Sequence, residues 1–469
     1  MKILLVRPKL PPRTLGLRHI MKCEPIELEY IAAGVPEHET RIVDEIMGDN
    51  LEKELRRFDP DIVGTSAYIT GIDEVRRICR TARAHNPDIL TVVGGVHATV
   101  IPDDYFHDEI DAIVRGLGVA PFRELVTHHA DWQDLTHIPN LCLRGPDGFH
   151  STPTVPPTQH DLDTLPLPRR DLVSRHARKY FYLHHRPVSL IQTSIGCPFH
   201  CTFCFCWRIT GGVHLRRTVE SVADELASIP TREVYIIDDT FLLEQDYLLE
   251  LAAEIRRRGI DREYLVYGRS DFIAENEDVI REWSELGMKA TILGLEYTTD
   301  SELDSVMKQA SVESNNRALE ILQRHRVDVY ASLILSPKYG PEDFRRVQEY
   351  ILEKGLFYIV LQCLTPLPGT SLYPEYRDSI TVAPGSHPMW DLSHMLVPSR
   401  LPLRKFYRHM VRIYMRTAGN PFRAWKLKLR TAPPFFSWRT FNLLFRSYWV
   451  LGTILRAHKH NQFYKAENQ

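Results

Sequence analysis

The chain has 469 residues, of which 43% are hydrophobic and 25% charged, and its formal net charge is −2. This balance excludes a disordered or collagen-like chain and allows several domains with sizeable cores. Eight cysteines, four of them within residues 197–206, and no secretory leader predict a cytoplasmic protein without a disulfide framework. The longest apolar stretch, Tyr448 to Leu455, is far shorter than the ~20 residues of a membrane-spanning helix, so we do not expect the chain to cross a bilayer.

Strand and helix patterns alternate over residues 1–150 and predict an open α/β domain. Strand patterns cover residues 2–7, 38–43, 61–66 and 90–95, and helix patterns cover residues 27–34, 51–57 and 72–85. Such sheets bind ligands at the carboxyl ends of their strands. Two turns with small side chains, Thr65-Ser66 and Gly94-Gly95, lie at these ends and let a large ligand approach the backbone. We therefore predict Thr65, Ser66, Gly94 and Gly95 as ligand-binding residues.

A proline-rich segment, residues 151–186, follows this domain. Its prolines are too numerous for the interior of a regular element: Pro153, Pro156, Pro157, Pro166 and Pro168. The segment is predicted to be a linker between domains.

Three cysteines lie close together in Cys197-Pro-Phe-His-Cys201-Thr-Phe-Cys204, directly after the apolar run Val188–Ile195. The run predicts a strand, and the cysteines are then on the loop that follows it. Three thiolates at this spacing can hold one iron–sulfur cluster and leave one iron without a protein ligand, whereas a structural zinc site normally has four protein ligands. A zinc loop or an adventitious cysteine cluster is the alternative.

Repeated strand and helix patterns over residues 187–390 predict a partial parallel barrel. Charged residues recur where its apolar strands end: Asp238, Asp239, Arg269 and Glu296. The carboxyl ends of barrel strands converge on one mouth, so these side chains are candidates for ligand contact. Strand-end caps or ion pairs between neighbouring loops are the alternative.

Two further cysteines lie near these elements. Cys206 is two residues beyond the triad, and Cys363 ends the last predicted barrel strand. Either can serve as a further cluster ligand or as a hydrogen donor, although free cysteine is often simply buried, which we favour.

The C-terminal region, residues 391–469, is predicted to be mainly helical and differs from the rest in charge. Residues 401–466 contain fourteen Lys or Arg and no Asp or Glu, interleaved with aromatic residues, whereas residues 1–400 have a balance of about −15. The region can be a cap on the acidic body of the protein, or it can contact an anionic membrane surface. Nucleic acid is not expected, because no recognisable nucleic-acid module accompanies the charge.

With its cysteine triad and the aromatic Phe203 before the last cysteine, the chain resembles the radical S-adenosylmethionine (SAM) superfamily. The resemblance implies a [4Fe–4S] cluster held by Cys197, Cys201 and Cys204, with SAM chelating the open iron. It also implies that Asp238, Asp239, Arg269 and Glu296 contact SAM. A flavodoxin or ferredoxin is the expected electron donor.

A second resemblance covers most of residues 1–390. The Thr65-Ser66 turn, the Gly94-Gly95-X-His97 turn and Asp111-Ala-Ile-Val-Arg-Gly116, followed by the triad, resemble the cobalamin-binding radical SAM enzymes. It implies a Rossmann-like cobalamin domain whose two turns hold the cofactor.

Two departures from that family concern the cobalamin site. The segment Asp44-Glu-Ile-Met-Gly48 has no histidine where many cobalamin domains place a cobalt ligand, and Gly116-Leu-Gly118-Val119 replaces Gly-X-Gly-Glu. We expect cobalt without a lower histidine ligand and interpret His97 as a loop histidine in contact with solvent or corrin; a degenerate domain that binds no cofactor is the alternative.

The resemblance implies methylation of an unactivated carbon in a small-molecule substrate, with terpenoid lipids and tetrapyrroles as the candidate classes. A radical SAM cyclase using the same cofactors is the alternative. A non-enzymatic iron–sulfur and corrinoid protein is the alternative of another class, and the open coordination site argues against it.

Overall fold

Parallel strands alternate with helices through most of the chain in the computed structural model. It describes residues 1–15, 20–66, 68–128, 135–417, 423, 426–427, 429–431 and 438–466, with side chains in the last range described for residues 445–460. The strands are β1 Lys2–Arg7, β2 Met21–Lys22, β3 Glu39–Asp44, β4 Ile62–Ser66, β5 Leu90–Gly94, β6 Ala112–Val114, β7 Leu141–Gly145, β8 Gly148–Ser151, β9 Phe181–Tyr182, β10 Val188–Ile191, β11 Ser194–Ile195, β12 Leu215–Arg216, β13 Glu233–Ile236, β14 Glu263–Gly268, β15 Met288–Glu296, β16 Asp328–Leu335 and β17 Tyr358–Cys363. The α-helices are α1 Ile26–Ala33, α2 Leu51–Phe58, α3 Ile72–His85, α4 Val96–Val100, α5 Val119–Thr127, α6 Gln159–Asp163, α7 Cys206–Ile209, α8 Val219–Ser228, α9 Gln245–Arg257, α10 Ser270–Glu275, α11 Glu277–Leu286, α12 Asp300–Ser305, α13 Val312–Arg324, α14 Pro341–Glu353, α15 Tyr373–Tyr376, α16 Leu403–Arg416 and α17 Trp438–Ala466.

The chain forms two compact units that are not continuous in sequence. Unit 1 comprises Met1–Thr14, Glu24–Arg178 and Phe205–Arg216. Unit 2 comprises Leu15–Cys23, Lys179–Cys204 and Arg217–Gln469. The domain boundaries predicted at residues 150, 186 and 390 stay predictions.

Unit 1 is built on a seven-stranded sheet with the strand order β3-β1-β4-β5-β6-β7-β8. The first five of these strands are parallel, and β7 and β8 continue the sheet as antiparallel strands. The order of the parallel strands reverses between β1 and β4, which is the switch point of a doubly wound fold. Residues Ile3 to Val6 of β1 are fully buried, as expected of a strand covered on both faces.

The proline-rich segment contributes a short helix to unit 1. Helix α6 lies between Pro157 and Pro166, where Thr158 and Asp161 form a reciprocal capping box. The sequence pattern missed this helix because its prolines lie outside the hydrogen-bonded turn.

Unit 2 contains a six-stranded parallel sheet in the sequential order β10-β13-β14-β15-β16-β17. Every neighbouring pair is parallel, as in a partial (β/α) barrel. Helices α8, α9, α11, α13 and α14 connect the strands and bury their apolar faces in one core, in which Trp283 is fully buried. This arrangement brings the carboxyl ends of six strands to one edge.

The C-terminal helices also belong to unit 2. Phe406 and Tyr407 of α16 and Leu451 and Ile454 of α17 are buried in the same core as the barrel helices. None of the helices in the described part of the chain has the length and apolarity that crossing a membrane requires. The predicted fold class is confirmed, and in the described part of the C-terminal region α16 and α17 are helical.

Candidate functional site

The three cysteines of the predicted cluster motif lie on one loop of unit 2. Cys201 is buried, and Cys197 and Cys204 are partly exposed. The Cys204 amide donates to the Cys201 carbonyl at 3.1 Å, which closes a turn between these two cysteines. Thr202 anchors the middle of the loop, because its amide donates to the Val306 carbonyl and its own carbonyl accepts from the Leu372 amide. The loop is thus fastened to segments that follow two other strands.

Burial raises the pKa of two thiols in this loop. It raises the pKa of the Cys197 thiol to about 11, and a backbone hydrogen bond at Phe199 opposes that rise. It also raises the pKa of the Cys201 thiol, against the positive charges of Lys308 and Arg269. Iron binding therefore has to displace protons from these sulfurs.

The donor set of this loop is three thiols. In the described ranges, no three His, Cys, Asp or Glu side chains are grouped so that they could hold one metal ion. A cluster differs from a single ion because it presents several irons, and thiolate is its usual protein ligand. The three thiols of this loop match that ligand type.

Arg269 packs directly on the cysteine loop. Its guanidinium carbon lies 3.4 Å from the centre of the Phe199 ring, a cation–π contact. The same guanidinium donates to the Asp271 carboxylate at 2.7 Å and to the Lys308 carbonyl at 2.8 Å. Phe203, also predicted as a cofactor-binding residue, is partly buried against the barrel core.

Glu296 ends β15 at an irregular point of the sheet. The register between β15 and β16 shifts between Gly294 and Glu296, and Glu296 has a φ of 59°. A left-handed backbone at a residue other than glycine is a strained conformation that recurs at functional sites. Its carboxylate accepts from the Lys308 ammonium at 2.9 Å, and both side chains are buried.

Lys308 is a candidate site residue that the sequence did not reveal. It follows α12 in an irregular loop, between Met307 and Gln309, whose φ angles are both 54°. Such a backbone has no signature in the sequence, and the partner of the lysine lies twelve positions earlier in the chain.

Asp238 and Asp239 follow β13, as predicted, and their hydrogen bonds go to residues 193–196. Asp238 is 1% exposed and accepts from the Thr193 amide at 2.7 Å and from the Ser194 hydroxyl at 2.8 Å. Asp239 accepts from the Gly196 amide at 2.9 Å. Burial raises the pKa of Asp238 to about 6, and the hydrogen bonds from Thr193 and Ser194 oppose that rise.

The two additional cysteines differ in position. Cys363 is buried at the end of β17, its thiol donates to the Ser393 carbonyl at 3.2 Å, and burial raises its pKa. Cys206 is the first residue of α7, in unit 1, and is partly exposed.

The predicted ligand-binding turns of unit 1 lie on neighbouring strands at the switch point. Thr65 pairs with Val6 of β1 on one side, and Ser66 pairs with Gly94 on the other. Thr65 is 4% exposed, and its hydroxyl has no hydrogen-bond partner among the described residues. Gly95 has a φ of 100°, a conformation that favours glycine. A buried, unsatisfied hydroxyl beside a glycine turn fits the recognition of a polar ligand at this edge.

The segment that lacks the family's histidine forms a tight turn. Asp44 is fully buried and accepts from the amides of Ile46 and Met47, and the turn ends at Gly48. His97 lies in helix α4, where its Nε2 is 2.7 Å from the Asp104 carboxylate. Its ring is 5% exposed, so it is not a solvated loop histidine.

Two domain families match the chain. Residues 15–126 match the B12 binding domain, and residues 191–351 match the radical SAM superfamily. The first range contains the switch-point turns, and the second contains the cysteine triad and the predicted strand-end charges.

Several known proteins are similar over most of the chain. A hopanoid C-3 methylase from Methylococcus capsulatus is 29% identical over 84% of this chain and 76% of its own length. An anaerobic magnesium-protoporphyrin IX monomethyl ester cyclase from Rubrivivax gelatinosus is 25% identical over 73% of this chain and 63% of its own length. The solved structure of the radical SAM methyltransferase TsrM from Kitasatospora setae, with cobalamin and a [4Fe–4S] cluster bound, covers 98% of this chain and 99% of its own with a TM-score of 0.71 at 17% identity. The TsrM similarity supports the fold.

A cobalamin-binding domain followed by a radical SAM domain defines a class of enzymes that combine both cofactors. The chain belongs to the cobalamin-dependent radical SAM enzymes, and its relatives support the interpretation as a methyltransferase. The expected cofactors, a [4Fe–4S] cluster, SAM and cobalamin, are those of this family, and the expectation that the chain is an enzyme is confirmed.

Proposed function

We propose that Cys197, Cys201 and Cys204 are the three protein ligands of the [4Fe–4S] cluster and that SAM takes the open iron. The observation that carries the proposal is the loop itself: three thiols on one fastened segment, inside the radical SAM domain. When bound, the cluster supplies the electron that cleaves SAM, and cobalamin carries the methyl group.

Anaerobic reconstitution tests the ligand set. Replacing all three cysteines with Ala should abolish the cluster absorbance, because thiolate is the usual protein ligand of such a cluster. Cys363→Ala is the matched control, since its buried thiol is bonded to a backbone carbonyl. Full cluster content in the triple variant would show that the ligands are elsewhere.

For SAM we propose contacts with Arg269, Glu296 and Phe203, together with Lys308. The buried Glu296 and Lys308 carry opposite charges beside the cysteine loop, and such groups match the amino and carboxylate groups of the cofactor. The SAM contact predicted for Asp238 and Asp239 stays a prediction, because their observed bonds go to residues 193–196.

For cobalamin we propose binding at Thr65, Ser66, Gly94 and Gly95, with cobalt lacking a histidine below it. Support comes from the unsatisfied Thr65 hydroxyl and from the bond between His97 and Asp104. Electron paramagnetic resonance of the cob(II)alamin state tests the second part. A nitrogen coupling that disappears in His97→Gln would contradict it.

The reaction we propose is methylation of an unactivated carbon in an apolar small molecule. The hopanoid C-3 methylase named above acts, by its name, on a hopanoid. By analogy, we propose a polycyclic lipid as the substrate of this chain. The cyclase relative supports a second candidate, oxidative ring formation on a tetrapyrrole. Product mass distinguishes them, since methylation adds one methylene unit per turnover and ring formation adds none.

An apolar substrate would be stored in membranes, and we propose that the C-terminal helix contacts a membrane surface. Helix α17 carries an aromatic stripe, defined here as Phe445, Tyr448 and Trp449, whose side chains are 65%, 53% and 51% exposed. Exposed Arg456 and Lys459 continue the same face. Aromatic rings and cations together suit the headgroup region of an anionic bilayer.

Sedimentation with vesicles tests this contact. The full chain should bind anionic vesicles at low salt and less at high salt, because screening weakens the attraction. Replacing the aromatic stripe with Ser should reduce binding, whereas Leu352→Ser, at an exposed apolar residue of α14, should not. No binding to anionic vesicles at low salt would refute the membrane contact.

The electron donor we propose is a flavodoxin or ferredoxin, the reductants expected for this family. Cleavage of SAM to 5′-deoxyadenosine with each reduced protein as the only electron source tests this. If neither reduced protein supports turnover while dithionite does, the proposed donor is refuted.

A further inference from the structure

The backbone that leads into the cysteine loop changes its hydrogen-bond partners abruptly. Strand β10 pairs with β13 in parallel register as far as Ile191 and Ile236, and the Ile237 amide donates to the Ile191 carbonyl at 2.9 Å. Beyond this bond, the Thr193 and Gly196 amides need other acceptors, since a buried amide without one is costly.

Two consecutive carboxylates supply those acceptors. One oxygen of Asp238 accepts from the Thr193 amide at 2.7 Å, and the other accepts from the hydroxyls of Thr193 and Ser194. Asp239 accepts from the Gly196 amide at 2.9 Å. The two carboxylates that follow β13 therefore hold the first and the last of the four amides that precede Cys197, those of Thr193 and Gly196.

The last of these bonds lies at a sharp change of direction. Gly196 has a φ of 83°, the left-handed region in which glycine is favoured, and the next residue is Cys197. Its amide direction is therefore fixed by Asp239 at the point where the chain turns into the cysteine loop.

We propose that Asp238 and Asp239 are positioning residues that fix the backbone of residues 193–196 and thereby orient the Cys197 thiol for the cluster. This inference rests on the proposed ligand set. Asp238 is 1% exposed, and both of its carboxylate oxygens accept hydrogen bonds from Thr193 and Ser194. Asp239 binds the amide of Gly196, which directly precedes the proposed ligand Cys197.

Variants of the reconstituted full chain test the role of Asp239. Asp239→Ala leaves the Gly196 amide without its acceptor. An iron chelator should therefore remove the cluster about 5- to 150-fold faster than it does from the wild type. Asp239→Asn keeps an acceptor oxygen and should restore most of the cluster's resistance. Asp261→Ala removes a carboxylate of unit 2 that is 81% exposed and should match the wild type. The spectrum of the reduced cluster should change in Asp239→Ala, a change that a loss of stability alone does not produce.

Hydrogen exchange of the wild-type chain gives a second measurement, which does not depend on any variant. The Thr193 and Gly196 amides should be protected before cluster binding, because carboxylates hold them. Fast exchange at both, or an Asp239→Ala protein with wild-type chelator resistance and spectrum, would overturn the inference.

The two proposals fail differently. If the triple cysteine variant keeps its cluster, the ligand set is wrong. If that variant loses the cluster while Asp239→Ala behaves like Asp261→Ala, the ligand set stands and the positioning role is wrong.

Discussion

Breaking the buried ion pair between Arg217 and Glu225 should be one of the most destabilising single changes in unit 2. Its side chains are 1% and 0% exposed. Arg217 also donates to the Gln192 carbonyl at 3.0 Å and to the Ser221 hydroxyl at 2.8 Å. Removing one partner of a buried pair leaves an uncompensated charge and costs about 3–5 kcal/mol. Glu225→Gln, which preserves volume, should therefore lower the free energy of unfolding by about 3 kcal/mol.

The measurement has to isolate unit 2, because a chain of two units need not unfold in one step. Native-state hydrogen exchange of the amides in β13 and β14 reports the opening of this unit. The control is Glu282→Gln, which removes one partner of the ion pair with Arg256, where the side chains are 28% and 51% exposed. An exposed pair contributes about 0–1 kcal/mol. If Glu225→Gln and Glu282→Gln reduce protection equally, the reasoning from burial is refuted.

Three other substitutions have defined outcomes. Thr65→Val keeps the shape and removes the hydroxyl, so cobalamin affinity measured by absorbance titration should fall by about tenfold, one hydrogen bond's contribution; unchanged affinity would remove Thr65 from the proposed site. Lys308→Met leaves the buried Glu296 carboxylate unpaired and should raise the SAM dissociation constant, measured by calorimetry, more than Lys338→Met does, because Lys338 is exposed on the loop after β16; equal SAM affinities of the two variants would contradict the proposed contact. Gly95→Ala places a residue with a side chain at a φ of 100° and should lower the free energy of unfolding by about 1–3 kcal/mol. Gly452→Ala, with open space around it in α17, should not lower it.

The sheets were predictable because buried parallel strands are continuous apolar runs. Helix α3 begins and ends at the predicted residues, and the strand ends that carry Arg269 and Glu296 lie where the pattern placed them. The predicted strand over residues 188–195 is in fact two strands, β10 and β11. The break occurs where the Asp238 carboxylate takes the Thr193 amide. A local sequence pattern cannot predict this hydrogen bond, because the carboxylate belongs to a residue 45 positions later in the chain.

The candidate site also contains residues that the sequence predicts and residues that it does not. The cysteine triad follows from spacing within eight residues, which the sequence displays directly. The pair of Glu296 and Lys308 depends on a register shift in β15 and on two left-handed residues around the lysine. These features arise from tertiary packing, so the sequence indicated the carboxylate as a strand-end charge but not the ammonium that neutralises it. The Thr193-Ser194 pair, polar within an apolar run, was the one available signal for the contact with Asp238.

The two interpretations of the basic C-terminal region, as a cap and as a membrane contact, belong to opposite faces of α17. Leu451, Ile454 and Ala457 are buried in the core of unit 2, at the helical spacing of one face. The aromatic stripe lies on the other face and is exposed. Ile454→Ala should therefore destabilise unit 2 by about 2–5 kcal/mol and leave vesicle binding by the folded protein unchanged. Substitution of the aromatic stripe should do the reverse. If the two sets of variants instead impair stability and vesicle binding in parallel, the faces are not independent and the membrane contact loses its structural support.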